Sequence, residues 1–133
     1  MSVEKVCGVD VWTIQLPYSK PPLNLNDRMH YRVRARVTRE VRSTTAWLAK
    51  EAKVPTGCER ATVCLHYRPR DNRRRDEDNL IATGKACFDG LVDHGLVPDD
   101  TPRFMTKLMP LIHPAEKGLP GSLWLTITIG DTQ

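Results

Sequence analysis

The stretch Arg73-Arg74-Arg75-Asp76-Glu77-Asp78-Asn79 joins two runs of different periodicity. Residues 61–67 (ATVCLHY) are rich in β-formers and read as a strand, while residues 80–97 repeat apolar side chains at helical steps. The polar stretch therefore sits where a strand gives way to a helix, on a backbone held by a sheet. Its cations run straight into its acids, and an amide closes the set. A run this polar is usually a solvated loop. Asp76 and Asp78 are two apart, however, so on an extended backbone both carboxylates point the same way. Crowded carboxylates repel and resist ionising together. A hard divalent cation relieves that repulsion, and Mg²⁺ prefers a few carboxylate oxygens plus water and phosphate oxygens.

Downstream, Leu80, Gly84, Cys87, Phe88 and Leu91 form the apolar face of the second helix, which His94-Gly95 closes with a left-handed cap. At about 100° per residue, Asp78, Lys85 and Asp89 fall in a narrow sector opposite that face, with Asp93 near its edge. The ordinary reading of Lys85 and Asp89 is an i,i+4 surface pair. A second acid pair, Asp99-Asp100, follows the helix. Residues 103–113 read as a third strand, with Pro110 marking an edge or bulge, and residues 122–129 (SLWLTITI) as a last one.

Upstream, residues 9–16 alternate, with Val9, Val11, Thr13 and Gln15 on one side and Trp12, Ile14 and Leu16 on the other. Residues 17–26 form a Pro- and Asn-rich loop, and Asp27 is a candidate cap for the next helix. Residues 32–53 carry the clearest amphipathic stripe: Val33, Val37, Val41, Thr44, Leu48 and Ala52. The arginines off that stripe read mainly as a solvated face. The order β-α-β-α-β-β predicts an α+β (α/β-like) fold, two helices on a small mixed sheet, in one domain over residues 1–133.

The chain has 133 residues and a formal net charge of +4. Its pI near 9.0 favours an anionic partner without naming one. Cys7, Cys58, Cys64 and Cys87 are scattered without a CxxC pair, and His30, His66, His94 and His113 lack zinc-ligand spacing. Free thiols in a reducing cytosol are the expectation. There is no apolar run long enough to span a membrane and no secretory h-region, so a cytoplasmic protein with no membrane partner is expected.

These residues, in this order, resemble the RusA-like Holliday junction resolvases of phages and prophages. The likeness covers Leu16-Pro17, Pro21-Pro22-Leu23-Asn24, and His66 ahead of the arginine-rich run. It continues through Asp76-x-Asp78-Asn79-Leu80, Lys85-Ala86-x-Phe88-Asp89-Gly90-Leu91 and Asp99-Asp100 to the final Gly-x-Leu-x-Leu-Thr-Ile-Thr strand. The resemblance implies that Asp76, Asp78 and Asp100 hold Mg²⁺, with Mn²⁺ as an alternative, and that a lysine assists cleavage. The family's lysine corresponds to Ala82 here. Three extra residues bring it to Lys85, shifted about 4.5 Å along the helix. Asn79, Asp89 and Asp99 are candidates for supporting the site.

The resemblance also implies a homodimer, whose paired sites suit the two-fold symmetry of a four-way DNA junction. Arg68, Arg70, Arg73, Arg74 and Arg75 are the foremost candidates for phosphate contact, with about two of the five structural only. Asn24, Arg28 and His30 are weaker candidates. The function implied is Mg²⁺-dependent, structure-selective phosphodiester hydrolysis. Its rivals are a branched-DNA binder that has lost cleavage, a less selective flap or fork nuclease, and a solvated acidic loop on an unrelated fold.

Overall fold

The computed structural model describes residues 2–6, 9–24 and 30–129, with side chains from residue 10 onward. The elements run β1 (Ser2–Val6), β2 (Val9–Gln15), α1 (Tyr31–Glu51), β3 (Ala61–Arg68), a 3₁₀ turn (Glu77–Leu80), α2 (Ile81–His94), β4 (Met105–Lys107), β5 (Leu111–Ile112) and β6 (Ser122–Ile129). The mixed sheet has strand order β1-β2-β6-β3-β4, and β5 also pairs with β3. The fold is α+β, and the predicted elements occur in the predicted order.

Strand directions decide where functional loops fall. β6 is antiparallel to both β2 and β3, and β4 and β5 run parallel to β3. Hence β2, β3, β4 and β5 share one direction, and α1 and α2 are the crossovers that link them. Parallel strands need such crossovers, and their helices return antiparallel to the strands. The starts of both helices therefore lie at one edge of the sheet, by the carboxyl ends of β2 and β3.

Alternation in the strands builds the core. Ile14, Val63, Leu65, Leu123, Leu125 and Ile127 are fully buried on the helix-covered face. Leu65 faces Leu125, which also faces Ile14 across β6. On the opposite face His66 stacks on Trp124 at 5.3 Å and on His113 at 5.1 Å. Cys58, Cys64 and Cys87 are free thiols, as expected, while Cys7 lies outside the described residues.

Three details depart from the expectations. β1 was not anticipated; it completes an antiparallel hairpin with β2. The third strand is broken in two: Met105 pairs with Ala61 but Leu111 with His66, so the later strand carries one extra residue between Lys107 and Leu111, the segment that holds Pro110. The stripe on α1 is wider than expected: Val37, Val41, Leu48 and Ala52 pack on the core as predicted, and Thr45 and Ala49 are buried beside them. Gly90 on α2 lets the two helices approach there. A Cβ there would sit 2.4 Å from the Arg42 carbonyl oxygen and 2.9 Å from the Thr45 Cβ, so the helices touch where their side chains are smallest.

Helix ends follow local chemistry. The His30 Nδ1 accepts from the Arg32 N–H at 3.2 Å and caps α1; the candidate cap Asp27 lies outside the described residues. α2 ends at Gly95 in a left-handed conformation (φ 100°), whose N–H donates to the Leu91 and Val92 carbonyls. Leu96 and Val97 leave the helix but remain buried.

Candidate functional site

The loop after β2 is pinned beside the start of α2. Leu23 is buried; its N–H donates to the Thr83 Oγ1 at 3.2 Å, and that hydroxyl donates to the Leu23 carbonyl at 2.6 Å. At the base of β6 a Cβ on Gly121 would lie 1.9 Å from the Ser19 carbonyl oxygen, so only glycine permits this approach. These contacts hold Asn24 near the acid stretch: Asn24, Arg75, Asp76 and Asn79 line a common cavity.

The acid pair itself differs from its expected geometry. Asp76 is extended (φ −97°, ψ 136°), but Glu77 begins the 3₁₀ turn and Asp78 lies inside it. Residues in such a turn are spaced about 120° apart, so the two-residue rule that aligns carboxylates on an extended chain does not apply. The turn also interrupts the helical sector drawn through Asp78, Lys85 and Asp89. Asp76 and Asp78 are both exposed, and among the described residues neither carboxylate takes a hydrogen bond or an ion pair. Asn79 is half-buried, its N–H donating to the Asp76 carbonyl at 3.2 Å.

The basic loop has an organiser that the sequence did not single out. Asp71 accepts from the Arg73 Nε at 3.2 Å and the Arg75 Nη2 at 2.8 Å, and Arg70 lies 3.6 Å away. Hydrogen bonds from Arg73, then Arg75, hold the Asp71 carboxyl well below the usual carboxylate range. Arg75 also donates to the Asp71 and Arg73 carbonyls, at 2.8 and 2.9 Å. Arg75 is thus the most structural of the candidate arginines. Arg68 reaches the Pro120 carbonyl at 3.4 Å, and Arg74 stands exposed. His30 stacks on Tyr31 at 4.6 Å at the start of α1, and Arg28 lies outside the described residues.

The second acid pair is held differently. The Lys107 Nζ lies 3.0 Å from the Asp100 Oδ2, and the Asp99 Oδ1 accepts from the Asp100 N–H at 2.7 Å. The Lys107 hydrogen bond and charge are the main reasons that the Asp100 carboxyl is lowered; Lys85 contributes a weaker field. Lys85 is exposed and pairs with Asp89 at 3.6 Å, the ordinary surface pair. Ala82 is instead packed toward the core, because three residues fall about 60° short of a full turn. Asp93, expected near the edge of the Lys85–Asp89 sector, is gripped through both oxygens by Arg42 of α1.

Among the described residues, no three His, Cys, Asp or Glu side chains converge to hold a metal ion. Topology gives the reason. Asp76 and Asp78 precede α2, and the chain reaches Asp100 only after that helix has carried it back along the sheet. The donors still suit Mg²⁺ in kind. That ion is ordinarily held by one or two carboxylates, waters and substrate phosphates rather than by a closed protein cage. Asp76 and Asp78 offer two unpaired carboxylates, whereas Asp100 would have to exchange Lys107 for the metal. Lys107 and Asp71 are the site residues that sequence reasoning missed. Their signal lies in tertiary pairing and loop geometry, not in any motif.

No protein-family model matches the chain, and no curated protein matches it closely. Among the described residues, no helix is long and apolar enough to cross a membrane.

Proposed function

We propose that the chain is a metal-dependent endodeoxyribonuclease that resolves four-way DNA junctions. The observation that carries the reading is the pair Asp76 and Asp78: two exposed carboxylates without partners among the described residues, beside an arginine-rich loop, beyond the carboxyl end of β3. Open α/β sheets bind ligands at this edge. Unpaired acids facing a polyanion are unfavourable unless a cation lies between them, and Mg²⁺ or Mn²⁺ would supply Lewis acidity and an activated water there. The ordered resemblance to the RusA-like resolvases supports the same reading.

On this reading the residues divide the work. Arg74, Arg70 and Arg73 hold the phosphate backbone, and Arg75 keeps the loop in shape through Asp71. Asp76 and Asp78 would hold the cation together with water and phosphate oxygens, and the family resemblance adds Asp100, which Lys107 engages in this structure. Lys85 lends positive charge to the scissile phosphate. A cytoplasmic homodimer would place two such sites on either side of the two-fold axis of a junction.

A second reading, a branched-DNA binder that does not cut, is favoured by one observation: the Asp100 carboxylate is already engaged by Lys107. Incubating a labelled four-way junction and a linear duplex with the protein and Mg²⁺ decides between them. The first reading predicts paired symmetric nicks in the junction alone. Binding without nicking, in Mg²⁺ and in Mn²⁺, would establish the second.

A further inference from the structure

A second recess, of about 410 Å³, shares Tyr67 and Arg75 with the cavity that Asp76 lines. Ser19 and Lys20 enter it from the loop after β2, Arg70 and Arg73 from the loop after β3, and Gly121 from the turn before β6. Its lining carries four cations and no acid. We infer that this recess holds the backbone phosphate next along the strand from the one beside Asp76, with Lys20 as a contact residue, and so sets which bond is cut. The inference rests on the proposed reading that the chain binds and cuts branched DNA.

Charge selects the occupant. Like charges gathered in one recess repel, and an anion among them removes that cost. Asp71 offsets only part of the charge. It takes Arg73 through Nε at 3.2 Å, so the two terminal nitrogens of that guanidinium remain for an anion. Arg70 is held more loosely, 3.6 Å from Asp71. Lys20 is exposed and, among the described residues, makes no ion pair. The volume lies in the range of small-ligand sites, roughly 300–1,000 Å³, so a phosphate enters with its sugar. The frame is set before any ligand arrives. The Ser19 carbonyl is pressed against Gly121, and the Gln15 Nε2 ties β2 to β6 by donating to the Ser122 Oγ at 2.8 Å and the Leu123 carbonyl at 2.9 Å. Arg75 is fixed by its bonds to the Asp71 carboxylate and to the Asp71 and Arg73 carbonyls. Because Tyr67 and Arg75 belong to both recesses, a phosphate held in the basic one fixes how the strand reaches Asp76. Backbone contacts of this kind read no base but set register.

The test steps a single methylphosphonate, an uncharged linkage, along one strand of a four-way junction bound by the Asp78→Asn chain. One position, neighbouring the bond that wild type nicks, is expected to weaken binding by about tenfold, the value of one charge-assisted hydrogen bond. Adding Lys20→Gln and Arg70→Gln, both at exposed positions, should erase that penalty. In the cleaving chain, Lys20→Gln alone should lower the salt slope of junction binding by about 1 and spread nicking onto adjacent bonds. Lys50→Gln, in the last turn of α1, should do neither. A junction bound and nicked with no sensitive position, or a penalty that survives both substitutions, would overturn the inference and leave the nuclease reading intact. An equal effect from Lys50→Gln would also overturn it, since Lys20 would then act through net charge alone. Failure of wild type to bind or nick any junction would overturn the reading and the inference together.

Discussion

The two ends of α2 obey different rules. At its end, polar groups are partnered. His94 bonds the Val54 carbonyl at 2.8 Å, Asp93 is held by Arg42, Gly95 caps the helix, and Gly90 is pressed against the α1 backbone. At its start, Asp76 and Asp78 are exposed and, among the described residues, unpaired, at a 3₁₀ turn whose N-cap Asp76 makes no side-chain capping bond. The residue types are alike, since both ends are rich in Asp and bordered by basic residues. Carboxylates at one end are spent on holding the fold, and at the other they are left available. The contrast separates stability from activity along a single helix, and substitutions at the two ends should therefore fail in different assays.

The largest effect is expected at the start. Asp76→Asn should lower junction cleavage by roughly 10²-fold or more, the order seen when one charge-stabilising group leaves an active site, while the melting temperature stays within error of wild type. A drop in melting temperature equal to that of a core substitution would break the comparison. At the far end, Gly90→Ala should destabilise by about 1–3 kcal/mol, because the added methyl meets backbone rather than a movable side chain. Gly84→Ala on the same helix is the control. Its Cβ would meet only Phe88 and Leu65 side-chain atoms at 3.5 Å or beyond, so chemical denaturation should find it neutral or slightly stabilised.

Smaller effects sharpen the contrast. Arg42 depresses the Asp93 carboxyl in the folded chain. The stability this brings is present above the unfolded Asp value of about 3.9 and fades as acid protonates Asp93 below it. Both side chains are more than a third exposed, so screening limits the contribution to about 1 kcal/mol or less. Arg42→Ala should therefore match wild type near pH 2 and fall behind by that amount at pH 7, as urea titrations at the two values would reveal. Lys107→Gln should change stability least. Its expected signature is a rise of the Asp100 carboxyl toward the ordinary range, read by NMR titration, and an unchanged value would show that the ion pair does not persist in solution.

The sequence carried the strands because alternation is local: Trp12, Ile14 and Leu16 turn inward just as their spacing implies. β1 escaped because Ser2-Val3-Glu4-Lys5-Val6 has too weak a pattern to stand alone and gains its conformation by pairing with β2. The stripe of α1 was legible at Val37, Val41, Leu48 and Ala52, but Thr45 and Ala49 are buried too, at a face where Gly90 of the other helix comes close, a contact that periodicity does not see. At the candidate site, the order of the acids was legible but their partners were not. Asp71 looks like any loop aspartate until the turn folds Arg73 and Arg75 onto it. Lys107 looks like a strand-edge charge until β4 carries it beside Asp100. The two-residue spacing of Asp76 and Asp78 misled for a related reason: the chain turns between them.

The most direct test of the account compares wild type with Asp78→Asn on one labelled four-way junction in Mg²⁺, scoring nicks, binding and melting temperature together. Paired symmetric nicks are expected from wild type. None is expected from the variant, which should bind the junction and melt as wild type does. Cleavage by the variant at the wild-type rate would contradict that expectation, because the unpaired carboxylates at the start of α2 would then have no part in the reaction.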